Sequence, residues 1–123
     1  MKVAVILISD PENGHDALGK AFNALALASE CLSRKDEVEL VFTGAGTGWP
    51  ETLADPSHPL HALYNSVGQA VSGVCTHCAE VFGNTEAVKH RGLAFIGDNP
   101  VPGTKGVASL RRYLAMGWQV LLF

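Results

Sequence analysis

Unbroken apolar runs alternate along this chain with segments whose apolar residues recur at helical spacing. Val3-Ala4-Val5-Ile6-Leu7-Ile8 is a continuous, partly β-branched run stopped by Ser9-Asp10-Pro11. It predicts a strand buried on both faces in the middle of a parallel sheet. From about Asp16 to Ser33, the residues Leu18, Ala21, Phe22, Leu25, Ala28 and Leu32 follow the period of an amphipathic helix, with Asp16 placed to cap it. Val38 to Phe42 predicts a second strand. Thr43 through Ser57, rich in Gly and Pro and carrying Trp49, predicts a long functional or interface-forming loop.

Pro59 opens a predicted helix whose inward stripe is Leu60, Leu63, Tyr64, Val67 and Val71, ended by Gly73. Val74 and its neighbours form a third strand, and the stretch from Cys75 to about Val88 reads as helix divided at Gly83-Asn84. Leu93 to Ile96 is a fourth strand, and Asp98 to Gly103 a turn-rich loop. Thr104 caps a predicted helix bearing Val107, Leu110 and Leu114, Gly117 ends it, and Gln119 to Phe123 is a fifth strand. This alternation predicts one α/β domain over residues 1–123, a parallel sheet with helices on both faces. Ligands and reactive groups then gather at the carboxyl ends of the strands, on the loops Ser9 to His15, Thr43 to His58, Cys75 to Cys78 and Gly97 to Gly103.

Composition narrows the function classes. With 123 residues, 47% of them hydrophobic, the chain can build one sizeable core. A net charge of -3 argues against a nucleic-acid partner. The first residues are too short an apolar run for a signal peptide, and no span of about 20 apolar residues is present, so a cytoplasmic location without membrane crossing is expected. Three cysteines at uneven spacing do not make a secreted disulfide framework.

Chemistry concentrates in Cys75-Thr76-His77-Cys78. Cys75 falls where a strand hands over to a helix, so unpaired amides there favour thiolate over thiol. Cys78 follows one turn later, a spacing suited to a disulfide or a shared metal. The competing structural reading treats both as small buried apolar residues at a tight packing point. His77 points to a different side of the helix. Cys31, beside the first helix's inward stripe, is expected to be structural. A zinc site would need two ligands beyond the pair, with His58, His61 and His77 as candidates. Asp10 stands after the first strand as a candidate base or binding group, although turn duties also account for it. His61 and Tyr64 share one face of the second helix, Tyr64 being expected in core packing. Gly44-Ala45-Gly46-Thr47-Gly48 lacks the pattern of a nucleotide cradle and is expected to be a flexible loop; no cofactor is expected.

Read in order, the Val3 to Ile8 strand, Glu37 to Phe42 leading into Gly44-Ala45-Gly46, His58-Pro59-Leu60-His61, and Gly73-Val74-Cys75-Thr76-His77-Cys78-Ala79 resemble the DsrE-like family of small sulfur-relay and uncharacterised proteins. The likeness runs over nearly the whole chain. It implies a three-layer α/β/α sandwich around a five-stranded parallel sheet and a homo-oligomer, often a trimer or hexamer, in which Trp49 and Trp118 serve subunit contacts. It also implies that Cys75 matches the cysteine that takes up sulfur as a persulfide, from a donor protein and toward an acceptor. Cys78 departs from the relay members, because a neighbouring thiol attacks a persulfide, releases sulfide and leaves a disulfide. The expectation is a thiol protein in sulfur transfer or persulfide reduction, with Cys75 the nucleophile and Cys78 the resolving thiol. A non-catalytic ligand-binding or assembly subunit and a metal-binding domain are the alternatives.

Overall fold

The computed structural model describes residues 1–123. Its strands are β1 (Lys2–Leu7), β2 (Glu37–Phe42), β3 (Val71–Cys75), β4 (Phe95–Ile96) and β5 (Gln119–Leu122), all parallel, in the order β4-β3-β2-β1-β5. Side chains of successive strand residues point to opposite faces. Val3, Val5, Leu7, Leu40, Phe42 and Val74 therefore meet helix α1 (Gly14–Ser33) on one side, and Ala4, Ile6 and Val41 meet Tyr113 of the last helix on the other. The result is the expected three-layer α/β/α sandwich with a five-stranded parallel sheet.

Four short helices follow: α2 (Trp49–Leu53), α3 (His61–Ser66), α4 (Thr76–Val81) and α5 (Thr85–His90). They join the α1 side through Trp49, Leu53, Leu63, Ala79 and Val88, whereas α6 (Leu110–Ala115) alone covers the opposite face. The chain leaving β3 thus stays on the α1 side, and the chain leaving β4 crosses to the other. That divergence makes a topological switch between β3 and β4, the place where such sheets hold their ligands. Cys75 is the last residue of β3.

Several local expectations are corrected. The α1 seam is built from Ala17, Ala21, Ala24, Leu25, Ala28 and Cys31, small residues that let the helix lie close on the sheet, while Phe22 falls at its rim and is 50% exposed. Asp16 does not cap α1, which starts two residues earlier; it pairs with Lys20 at 2.7 Å in the first turn. Thr43 to Ser57 is not a loose loop. Gly44–Gly48 is a 3-10 helix running into α2, and a Cβ at Gly46 would overlap the Leu7 carbonyl. Trp49 is consequently in the core, its indole N–H donating to the Ser9 carbonyl at 2.8 Å, and cannot serve a subunit contact.

The second predicted helix stops at Ser66. A 3-10 turn at Gly68–Ala70 releases Val71 into β3, where it pairs with Leu40. Thr104 does not cap α6: its hydroxyl donates to the Val101 carbonyl at 2.7 Å and accepts from the Gly106 N–H at 3.1 Å, holding a turn. Gly103 and Gly106, at φ of 82° and 96°, break any helix there, and Ser109 caps α6 by accepting from the Arg112 N–H at 3.2 Å. No helix is long and apolar enough to cross a membrane.

Candidate functional site

β3 passes into α4 with no intervening loop, so Cys75 both ends the strand and precedes the first helical residue. The β2–β3 register pairs Phe42 with Val74 and so sets Thr43 beside Cys75 at the carboxyl edge, with Ile96 of β4 on its other flank. Alternation along β3 turns Cys75 away from Val74 and toward the α6 side. There its Sγ accepts the Ala108 N–H at 3.4 Å. The Thr43 hydroxyl donates to Cys78 Sγ at 3.5 Å. All three cysteines are free thiols; Cys75 is 0% exposed and Cys78 is partly exposed.

Burial is the largest single influence on the Cys75 thiol and pushes its pKa up, because an anion loses solvation there. The N–H groups of Cys78 and Ala108, the Thr43 hydroxyl and the Cys78 thiol act the other way and outweigh it, so the pKa lies below that of an ordinary thiol. Cys31 shows the contrast: buried in the α1 seam, with Asp36 and Glu30 nearby, its thiol is pushed up. The expectation that Cys31 is structural agrees with its place in the main core.

A strap formed by residues 97–108 closes over Cys75. Its two limbs are joined by an antiparallel bridge in which Asn99 and Val107 exchange N–H to O bonds of 2.8 and 2.9 Å. Ser109 N–H donates to Asp98 across its base at 2.8 Å. The strap is fastened to the body where His77 N–H donates to the Gly106 carbonyl at 3.1 Å, where Lys105 meets Glu80 at 3.1 Å, where Asp98 meets Arg112 of α6 at 3.2 Å, and where Ala108 meets the sulfur.

The histidines and Asp10 do not join this cluster. His58 accepts from the Leu60 N–H at 3.0 Å and packs edge-on against Trp49, and the His61 ring is bonded to the Leu53 carbonyl at 2.7 Å and to Asn65 at 3.0 Å. Tyr64, as expected, packs against the main core, edge-on to Phe42. His77 lines a cavity of about 380 Å³ with Glu80, Gly103 and Lys105 beside the strap. Asp10 holds a turn by accepting the Glu12 N–H at 2.9 Å, and borders a separate cavity of about 360 Å³ with Glu12, Glu51, Phe82 and Asn84. No three His, Cys, Asp or Glu side chains converge to hold a metal ion, so the donor set needed by a metal-binding domain is not assembled.

Two members of the site carry no cysteine-like signal in the chain. Thr43 was findable as the first residue past β2 at the edge shared with Cys75. Ala108 contributes only a backbone N–H, which no side-chain pattern reveals. Comparison with protein-family models, curated proteins and solved structures finds no match to this chain.

Proposed function

We propose that the chain is a DsrE-like thiol protein of the reducing cytoplasm that carries out sulfur transfer or persulfide and thiol redox chemistry through Cys75 and Cys78. The observation that carries this reading is a buried Cys75 sulfur whose amide and hydroxyl donors favour the thiolate despite the cost of desolvation. A purely structural cysteine gains nothing from that donor set, and Cys31 has none like it. The order of Gly73 to Ala79 and the other stretches resembling the family supports the same class.

Exposure changes the order of events expected from sequence. Cys78 is the sulfur that solvent reaches, so its thiolate attacks the outer sulfur of a donor persulfide, the donor thiolate leaves, and Cys78 holds the persulfide. Cys75 then attacks the inner sulfur, hydrosulfide leaves, and a Cys75–Cys78 disulfide remains. Intact mass after a brief treatment with a small persulfide donor tests this. Cys78→Ser should lose the sulfur adduct, and Cys75→Ser should form it and hold it longer than the wild type. The reverse pattern would return the acceptor role to Cys75, and no adduct in any of the three proteins would sink sulfur chemistry.

A second reading rests on surface. Leu114 of α6, Met116 just past its end and Leu122 of β5 are each at least 60% exposed on or beside the thinly covered face. They suit the homo-oligomer implied by the family resemblance. Sedimentation of wild type against Leu114→Ser with Leu122→Ser tests it; a monomer in both removes the assembly role.

A further inference from the structure

We infer that the redox state of the cysteine pair sets whether the 97–108 strap is closed. This rests on the dithiol reading above. Of the polar fastenings between strap and body, which are the His77–Gly106 backbone bond, the Lys105–Glu80 and Arg112–Asp98 ion pairs and the Ala108 N–H, the last ends on the Cys75 sulfur itself. The Lys105–Glu80 fastening is an ion pair with both side chains at least half exposed, which holds little in water. The strap's other bonds, between Asn99 and Val107, Thr104 and Val101, and Thr104 and Gly106, are internal and let it move as one piece.

A sulfur of thiolate character is a good acceptor for a buried N–H, and a disulfide sulfur is a poor one. Oxidation proceeds when the Cys78 thiolate attacks an external disulfide, expelling one thiolate, and Cys75 attacks the Cys78 sulfur of the mixed disulfide, expelling the second. Two protein thiols are oxidised, the external disulfide is reduced to two thiols, and their two protons pass to the leaving thiolates. Cys75 Sγ is then drawn toward Cys78 and becomes a disulfide sulfur, a weaker acceptor for the Ala108 N–H. The part-buried Ala108 N–H is left without its partner, and an orphan donor there destabilises the closed arrangement. Lifting the strap uncovers Cys75 at the β3–β4 switch and withdraws Lys105 from the wall of the cavity of about 410 Å³ that it shares with Thr76, Glu80, Thr85, Lys89 and Phe95. The disulfide form thereby presents a surface that the dithiol form hides.

The test is hydrogen exchange of the whole chain, reduced and after treatment with glutathione disulfide, with intact mass reporting loss of two hydrogens. Exchange at Ala108 and at His77, whose N–H is bonded to the Gly106 carbonyl, should rise about tenfold on oxidation, the loss of roughly one hydrogen bond, while Val107, bonded within the strap, and β1 stay unchanged. Trypsin should cut after Lys105 faster in the oxidised form. Cys75→Ala, which removes the acceptor without oxidant, should show the same loosened strap. A disulfide that forms with strap exchange unchanged overturns the inference and spares the dithiol reading. Failure to form the disulfide overturns both, and a strap equally protected in Cys75→Ala shows that the sulfur does not fasten it.

Discussion

The two faces of the sheet are built to different standards. On the α1 side, 18 buried residues form one continuous core, and the helix seam of alanines sits directly on Val3, Val5, Leu40 and Phe42. On the α6 side only Ala4, Ile6, Val41 and Tyr113 are buried together, beneath one six-residue helix and the strap. Hydrophobic burial scales with area, so the first face carries most of the stability and the second is held largely by directional polar bonds. Tyr113 illustrates the second kind: burial and its hydrogen bond to Glu39 push its pKa up to about 12, and Arg112 lies over its ring. The Cys75–Cys78 pair lies on the thin side, where a segment bound by a few hydrogen bonds can open, whereas a segment sealed into a large core opens only with global unfolding. Cys31 and Cys75, both buried, fall on opposite sides of that divide, and their thiols are shifted in opposite directions.

The largest expected effect breaks the thick face. Phe42→Ala removes a fully buried ring and should lower stability by about 3–5 kcal/mol in urea unfolding, whereas Leu122→Ser on the thin side should change it by no more than about 0.5 kcal/mol. Comparable losses at the two positions would mean that the thin face is covered in solution, by a second copy for instance.

Next comes the crossing of the strap's limbs. Gly106 has φ of 96°, and a Cβ there would overlap the Gly97 carbonyl. Gly106→Ala should lower stability by about 1–3 kcal/mol and speed alkylation of Cys75 much more than that of Cys31. Equal acceleration at both thiols would show general loosening and erase the distinction between faces.

Smaller in energy is the loss of the Thr43 hydroxyl. Thr43→Val should raise the pH at which Cys75 becomes reactive, toward the ordinary thiol value of about 8.5, and Thr43→Ser should restore it. Iodoacetamide rates against pH read this directly, and identical profiles for all three proteins would remove Thr43 from the site.

The smallest effect is on stability against pH. The folded pKa of Cys75 is depressed, so the unfolded thiol binds more protons and the native state gains stability as pH rises. That gain is complete above the unfolded value of about 8.5 and is lost as pH falls through the native value. Cys31, raised by burial, contributes with the opposite sign, favouring the native state at lower pH. The stability difference between wild type and Cys75→Ser should therefore grow from mildly acidic pH toward about 8.5, and a flat difference would contradict the depressed pKa.

Local pattern was sufficient for the elements that bury two apolar faces or one continuous stripe. The apolar runs at Val3 to Ile8 and Val38 to Phe42 fall, within one residue at either end, on β1 (Lys2–Leu7) and β2 (Glu37–Phe42), and the long amphipathic period forms α1, because these segments have one way to hide their side chains. Placement of Cys75 at a strand-to-helix junction was legible for the same reason. Patterns misled where short segments had alternatives. Val71 fits a helical stripe as well as a strand, and pairing with Leu40 decides it; the Gly44 to Leu53 stretch is helical because it packs against β1 and the core, against its own composition. Register and the path of the chain after β4 brought Thr43 and the Ala108 amide to the sulfurs. Residue identity thus determined which groups can do chemistry and which segments must be buried. Which groups meet, and that Cys75 is sealed while Cys78 is reachable, was decided by tertiary structure, because those contacts join residues 33 and 35 positions apart through backbone donors and strand pairing that no local period encodes.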